Sequence, residues 1–299
     1  MAAMVLCAGA AGNASANIDI VFDYSYDSNN FFDITKKNVM EAAATAFESR
    51  LQDNLTAITS GTGGTFNVKF FDPSNTGFDI TLNNFSVAAN VLRIFVGASN
   101  LGGPLGLGGP GEFGVTGATQ AFADNAASRG QAGALLFNAT DFGPWGGAIG
   151  FNSASNWYYD LDPSTSEFFS GFDFYTVAVH EIGHVLGIGS APSWDNRITN
   201  GIFSGPAVGS QAVNAGADHW ASGAISTFGM AAQEAVMTPS ISSGQRRYFT
   251  TLDYAGMSDI GWQISAIPEP ATWLMWSAGG LLLAGLRRRS ADKGAARAA

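Results

Sequence analysis

Residues 176–190, TVAVHEIGHVLGIGS, place His180, Glu181 and His184 in the order H-E-x-x-H within an apolar segment. Residues i and i+4 of an α-helix share a face, so both imidazoles can bind one metal ion while Glu181 lies beside them. A buried pair of histidines with a carboxylate needs a partner that offsets the loss of hydration. The segment therefore predicts a zinc-binding helix, with Glu181 placed to take a proton from zinc-bound water.

The third ligand of such a site is not adjacent to this helix. In the metzincin pattern H-E-x-x-H-x-x-G-x-x-H, Gly187 falls at the glycine, but Ser190 stands where the third histidine belongs. A glycine tolerates positive φ, which lets a helix end and the chain turn at once. The sequence has 3 histidines, which leaves His219 as a candidate ligand farther along the chain. A surface histidine beside an exposed tryptophan is the weaker interpretation of His219 taken alone, and a carboxylate elsewhere is the other candidate ligand.

Residues 218–239, DHWASGAISTFGMAAQEAVMTP, resemble the leishmanolysin branch of the metzincins. In that branch an insertion separates the glycine from a third-ligand segment that contains His-Trp, and Glu-x-x-Met-x-Pro or a close variant follows. His219 with Trp220 and the run that ends in Met237-Thr238-Pro239 match this order. The resemblance implies that His219 is the third zinc ligand and that Met237 and Pro239 belong to the Met-turn beneath the ion.

The same resemblance extends to residues 251–262, TLDYAGMSDIGW, which are similar to the closing helix of that group. It covers roughly residues 145–262 and implies an α+β, metzincin-like zincin with a mixed twisted sheet and a zinc-binding active-site helix. Within a catalytic domain over 17–265, we expect an N-terminal subdomain to about residue 187. A C-terminal subdomain, 188–265, would hold the Met-turn and the closing helix. The disulfides of leishmanolysin do not carry over, because Cys7 is the only cysteine.

The first half of the chain shows strand and helix periodicities. NIDIVFDYSY at 17–26 predicts an early strand, and the apolar spacing in 35–55 predicts a helix that covers it. Further strands are predicted at TFNVKFF (65–71), FDITL (78–82), VLRIFVG (91–97) and GGAIGFN (146–152). The glycine-rich stretch 97–117 lacks a phosphate-binding pattern and is predicted to be a loop. The order favours a mixed sheet with helices packed on it.

The strand at 146–152 directly precedes the zinc-binding segment. Its glycines admit close approach of another backbone, so we expect Gly147, Ala148 and Ile149 to bind a peptide substrate by edge pairing.

Residues 1–16, MAAMVLCAGAAGNASA, are apolar and rich in small side chains. They end in Ala-Ser-Ala, a pattern that signal peptidase accepts, so the stretch predicts a signal peptide. Lipid attachment at Cys7 is a weaker alternative, because Leu6 stands where a small residue is expected.

The other end carries Pro268-Glu269-Pro270, an apolar or small-residue run at 271–286, and three arginines at 287–289. This order resembles the PEP-CTERM sorting tail of Gram-negative bacteria, which implies processing by an exosortase. Residues 266–289 would be the sorting segment, with a short transmembrane stretch at 271–286, and 290–299 a cytoplasmic tail. The protein would be held briefly in the inner membrane and then passed to the cell surface or the medium. A plain C-terminal membrane anchor is the alternative.

Composition agrees with export and excludes some partners. Charged residues make up 13% of the chain and the net charge is −10, which argues against nucleic acid or an anionic membrane as the main partner. The sequence favours a secreted zinc endopeptidase with one catalytic Zn²⁺, acting on protein or peptide substrates. Calcium bound by Asp/Asn-rich loops is a further candidate cofactor.

Two alternatives to a peptidase stay open. One is a non-proteolytic surface or matrix protein that retains a zinc site, although such a site has no need of Glu181. The other is a zinc hydrolase that acts on a non-peptide bond of the matrix.

Overall fold

In a computed structural model, residues 18–165 and 167–265 are described, and they form a mixed α+β fold, as the sequence predicted. The helices are α1 (Ile34–Glu48), α2 (Gln120–Ser128), α3 (Phe174–Val185), α4 (Pro192–Asp195) and α5 (Thr251–Asp259), with a 3-10 turn at Ala132–Leu135. The strands of the first half are β1 (Asp19–Asp23), β2 (Ile58–Thr59), β3 (Thr65–Phe71), β4 (Asp79–Leu82), β5 (Ser86–Val87), β6 (Val91–Ser99), β7 (Gly106–Pro110), β8 (Glu112–Thr116) and β9 (Gly146–Asn152). Those of the second half are β10 (Trp157–Tyr158), β11 (Phe172–Asp173), β12 (Ile198–Thr199), β13 (Ile202–Gly205), β14 (Gly209–Ala212), β15 (Ile225–Phe228) and β16 (Ala231–Glu234).

A four-stranded sheet in the order β1-β6-β9-β7 lies beside the H-E-x-x-H helix. The first three strands are parallel, and β7 runs antiparallel to β9 at the edge. Alternation along β6 sends Ile94 and Val96 to one face and Phe95 to the other. The first face packs on α1 and α3 through side chains such as Phe47 and Val179. The second face packs on a smaller sheet of order β4-β3-β8.

Helix α1 is shorter than predicted. Asp33 caps its first turn by accepting a bond from the Lys36 backbone N–H, and the helix ends at Glu48 rather than near residue 55. Leu51 instead pairs with Ile264 in an isolated bridge, so its side chain is buried without helical backbone. The apolar spacing in residues 35–55 therefore indicated the buried side chains correctly, but it did not indicate the residue at which the helix ends.

The prediction of a loop at 97–117 is wrong, because this stretch contains β7 and β8. Glycine weakens a strand by itself, yet here it lets strands approach closely. A Cβ atom at Gly147 of β9 would lie 2.1 Å from the carbonyl oxygen of Gly109 in β7. Packing in the folded chain thus overrides the local preference for a loop.

The segment between α3 and the third histidine folds around a cluster of aromatic side chains. Strands β12, β13 and β14 form a small antiparallel sheet, and β15 and β16 form a hairpin. Trp194, Phe203 and Trp220 pack together with ring centroids 4.6–5.3 Å apart. This cluster anchors the residue next to His219 in the core.

Residues 18–165 and 167–265 contain no helix that is long and apolar enough to span a bilayer. The predicted signal peptide, the sorting segment with its apolar run and the tail at 290–299 lie outside the described residues.

Candidate metal centre

Helix α3 is fixed at its start by a buried carboxylate. Asp173 accepts hydrogen bonds from the backbone N–H and the hydroxyl of Thr176, at 3.1 and 2.6 Å. The Arg246 guanidinium pairs with the same carboxylate at 3.0 Å and also with Asp160. Nearly every residue of the helix is buried, so its rotation about its own axis is set by packing. That rotation determines where His180 and His184 point.

The structure brings His180, His184 and His219 together. Their Nε2 atoms are 3.0 Å apart for the first pair and 3.1 Å for each pair with His219. Three nitrogens that share a tetrahedral ion at the usual Zn–N distance lie about 3.3 Å apart, so the spacing fits a single ion. Each histidine offers one ligand nitrogen, and the three nitrogens lie within 4.8 Å of one another, close enough to bind one metal ion.

The other ring nitrogen of each histidine has an acceptor. Nδ1 of His180 lies 2.7 Å from the carbonyl oxygen of Val236, and Nδ1 of His184 lies 2.8 Å from that of Ile188. Nδ1 of His219 lies 2.8 Å from Oδ1 of Asp218. Because a carbonyl oxygen only accepts, the protons of the first two rings are on Nδ1. Their Nε2 lone pairs then face the common centre, an arrangement that a cation stabilises.

Burial keeps the imidazoles of His180 and His184 neutral. It lowers the pKa of His180 well below its usual value and that of His184 to about 4, and the neighbouring imidazoles add to the effect. A neutral imidazole is the form that binds a metal ion.

Glu181 lies between the histidines and strand β7. The Gly108 backbone N–H donates to its carboxylate, while burial raises its pKa to about 8. A Cβ atom at Gly106 would lie 2.5 Å from Oε1 of Glu181, and one at Gly108 would lie 2.9 Å from Oε2. The carboxylate therefore fits only because β7 carries glycine at both positions. A cation held by the histidines would lower this pKa and favour the ionised form.

Position 190 serves the helix rather than the metal. Gly187 has φ +109°, which allows the chain to leave α3 sharply. The Ser190 hydroxyl donates to the carbonyl oxygen of His184 at 2.6 Å. Ser190 thus gives a backbone carbonyl at the end of the helix a hydrogen-bond donor. In the pattern H-E-x-x-H-x-x-G-x-x-H, the same position carries the third ligand.

Met237 lies beneath α3. It is buried, and a Cβ atom at Gly183 would lie 2.6 Å from its sulfur. Pro239 lines the cavity in front of the histidines. The segment that contains both residues also supplies the Val236 carbonyl oxygen to His180, so it supports the site from below.

A cavity of about 780 Å³ opens over the three histidines and Glu181. The stretch Gly102–Gly108, which includes the first residues of β7, lines this cavity, as do residues of the segment 236–241. Thr176, Val177 and Arg247 line it as well. The Arg247 charge is balanced by Glu234, so it adds no unpaired charge to the cavity.

The prediction that Gly147, Ala148 and Ile149 bind substrate by edge pairing is wrong. They belong to β9, which pairs with β6 on one side and β7 on the other, and all seven of its residues are buried. The edge strand next to β9 is β7. Sequence periodicity could not reveal this, because the glycine-rich β7 was not predicted to be a strand.

Sequence reasoning also missed Asp218 and Asp253. The first bonds the ring of His219, and the second binds the segments that carry His219 and Met237. The only local signal is the position of Asp218 beside His219 and the capping-box spacing from Thr250 to Asp253.

Comparison with known families bears on the first half of this site. Residues 117–196 match the family model Peptidase_M10, matrixin. The match includes His180, Glu181 and His184, supports a metzincin-type metalloprotease and suggests zinc metalloendopeptidase activity. It ends before residues 218–239, on which the resemblance to leishmanolysin rests. Comparisons with curated proteins and with solved structures gave no match.

Proposed function

We propose that this protein is a zinc-dependent endopeptidase whose zinc ligands are His180, His184 and His219. The observation that carries the proposal is the set of three Nε2 atoms 3.0–3.1 Å apart, beside a buried glutamate and below an open cavity. The resemblance to the leishmanolysin branch supports His219 as the third ligand and Met237 and Pro239 as parts of the Met-turn.

Zinc held by the three histidines would supply Lewis-acid polarisation of the scissile carbonyl and would lower the pKa of a water molecule. Glu181 would accept the proton of the attacking water on its carboxylate and later deliver it to the leaving amine. The Gly108 N–H holds that carboxylate against β7. Burial of the Glu181 and His184 side chains lowers the local dielectric constant, which strengthens the electrostatic interactions that they make.

The edge of β7 that faces away from β9 gives a place for an extended peptide. Bonds from Asn152 N–H to Leu105 O and from Gly111 N–H to Gly146 O show that the odd-numbered residues of this stretch pair with β9. The backbone groups of Gly106 and Gly108 therefore point away from β9, toward the cavity. A substrate that pairs there would run past Glu181 and the histidines.

Cleavage tests distinguish this proposal from the alternatives. Casein cleavage by the wild-type chain that is lost in Glu181→Gln, with zinc retained, supports a peptidase. Zinc binding without cleavage of any peptide favours a protein with a retained zinc site, and cleavage of only ester or polysaccharide amide substrates favours a non-peptide hydrolase.

Location and processing are proposed from the sequence alone. We propose export through a signal peptide at 1–16, and sorting through 266–289 by an exosortase-type enzyme to the surface of a Gram-negative bacterium or beyond. Within the exported chain, residues 17–265 would act as the catalytic domain, with its two subdomains meeting near residue 187.

A further inference from the structure

Asp253 lies at the start of α5, is fully buried and contacts none of the three histidines. Its carboxylate nevertheless accepts five hydrogen bonds. Oδ2 accepts from the Thr250 N–H at 2.8 Å, the Thr250 hydroxyl at 2.7 Å and the Val236 N–H at 3.1 Å. Oδ1 accepts from the Trp220 indole N–H at 2.9 Å and the Met237 N–H at 3.3 Å. A buried carboxylate is stable only with such a complete set of donors.

The donors fall into two groups. The two bonds from Thr250 both use Oδ2 and lie at the start of α5, where the bond from the Thr250 N–H is half of a helix capping box. The bonds from Trp220, Val236 and Met237 are not needed for capping, and they come from two other segments of the chain.

Each of those segments positions a histidine of the metal centre, since one contains His219 and the other accepts a hydrogen bond from His180. Trp220 directly follows His219, and its own backbone N–H donates to the Met237 carbonyl oxygen at 2.9 Å. Val236 supplies the carbonyl oxygen that bonds Nδ1 of His180 at 2.7 Å. One carboxylate thus ties together the segment of His219 and the segment that supports His180.

We infer that Asp253 is a positioning residue for the metal centre, acting through Trp220 on His219 and through Val236 on His180. The inference rests on metal binding by the three histidines, as proposed above, but not on the reaction that follows. His180 and His184 are fixed by one buried helix, whereas His219 comes from a separate segment. The placement of His219 is therefore the part of the site that depends most on this carboxylate.

Four variants of the full chain separate positioning from stability. Trp220→Phe removes the indole donor, and Asp253→Asn replaces one acceptor oxygen by an amide group that faces donors. Thr250→Val removes the two hydroxyl bonds with Asp253 at the start of α5 and leaves the donors from Trp220, Val236 and Met237 in place. Trp145→Phe is a matched control, since Trp145 is also buried, lies in the other core cluster and donates its indole N–H to Gly111 O.

The measurement is the zinc dissociation constant of each metal-free protein, by competition with a chromophoric chelator, at a temperature where circular dichroism shows every variant folded. The absorption spectrum after Co²⁺ is added reports the ligand geometry. Trp220→Phe and Asp253→Asn should weaken zinc binding by about 10-fold to 100-fold and alter the cobalt spectrum. Thr250→Val and Trp145→Phe should leave the zinc dissociation constant within about twofold of wild type and the cobalt spectrum unchanged.

Wild-type zinc affinity and an unchanged cobalt spectrum in Trp220→Phe would overturn the inference while leaving the proposed function standing. Equal weakening in Thr250→Val would also overturn it, because only helix capping would then be involved. Failure of the wild-type chain to bind zinc would instead reject the proposed function. If Asp253→Asn does not fold, Trp220→Phe decides alone.

Discussion

Gly183 and Met237 are packed so closely that a Cβ atom at position 183 would lie 2.6 Å from the methionine sulfur and 3.1 Å from its terminal methyl carbon. Gly183 stands between Glu181 and His184 on α3, in the one turn that carries the whole H-E-x-x-H motif. The contact therefore sets the height of that turn above the segment that supports it.

Gly183→Ala tests this contact. Alanine favours an isolated helix by about 1 kcal/mol over glycine, so propensity alone predicts a more stable protein. Overpacking of a core costs about 1–3 kcal/mol, so we expect a net loss of stability of up to about 2 kcal/mol in chemical denaturation. The loss of stability caused by Gly183→Ala should be smaller in a Met237→Ala background than in the wild-type background. A Gly183→Ala protein more stable than wild type would show that Met237 moves aside freely.

Gly108→Ala tests the position of the catalytic carboxylate. Its Cβ atom would lie 2.6 Å from the Glu181 carbonyl oxygen and 2.9 Å from Oε2, so the side chain of Glu181 must shift. A displacement near 1 Å costs about 100-fold in rate, and we expect kcat/KM for peptide cleavage to fall by about 10-fold to 100-fold while zinc content is unchanged. Gly109→Ala is the matched control, because a Cβ atom there meets nothing within 4 Å. Equal activity in the two variants would contradict this account.

Asp53 predicts a specific pH dependence of stability. It is 1% exposed, and burial raises its pKa from 3.8 to about 6. Because the folded state binds the proton more tightly than the unfolded state, the stability contributed by protonated Asp53 is complete below pH 3.8 and is lost as pH rises through about 6. The carbonyl oxygen of an asparagine can still accept the bond from the Gln263 N–H that Asp53 receives at 3.0 Å.

Asp53→Asn should therefore be more stable than wild type at pH 8, by up to about 3 kcal/mol, with the difference vanishing near pH 4. Chemical denaturation of both proteins across this range provides the measurement. A constant difference at every pH would mean that the ionisation of Asp53 plays no part.

Several elements of the fold carry a signal in their local sequence. Strands β1, β3, β6 and β9 were predicted from apolar periodicity, because their side chains face a core. Helix α3 was predicted from its motif and its apolar neighbours, and the two motif histidines lie on one face as expected. These features follow from local spacing, which the chain displays directly.

Features that depend on distant contacts were not accessible in this way. Strand β7 is rich in glycine because Glu181 and β9 press against it, a reason that no local pattern expresses. As a result the substrate edge was predicted on β9, whose two sides are both paired. Ser190 gave no signal that it caps α3, and the links from Asp253 to Trp220 and Met237 span 33 and 16 residues.

The central claim is that His180, His184 and His219 hold one zinc ion that serves peptide cleavage. The most direct test is the zinc content of the purified full chain by elemental analysis, with casein cleavage measured on the same samples, for wild type, Glu181→Gln and His219→Ala. We expect about one zinc per chain in the first two, cleavage by wild type alone, and loss of both properties in His219→Ala. Full zinc content and cleavage in His219→Ala would show that the third ligand is another residue and would contradict the proposed site.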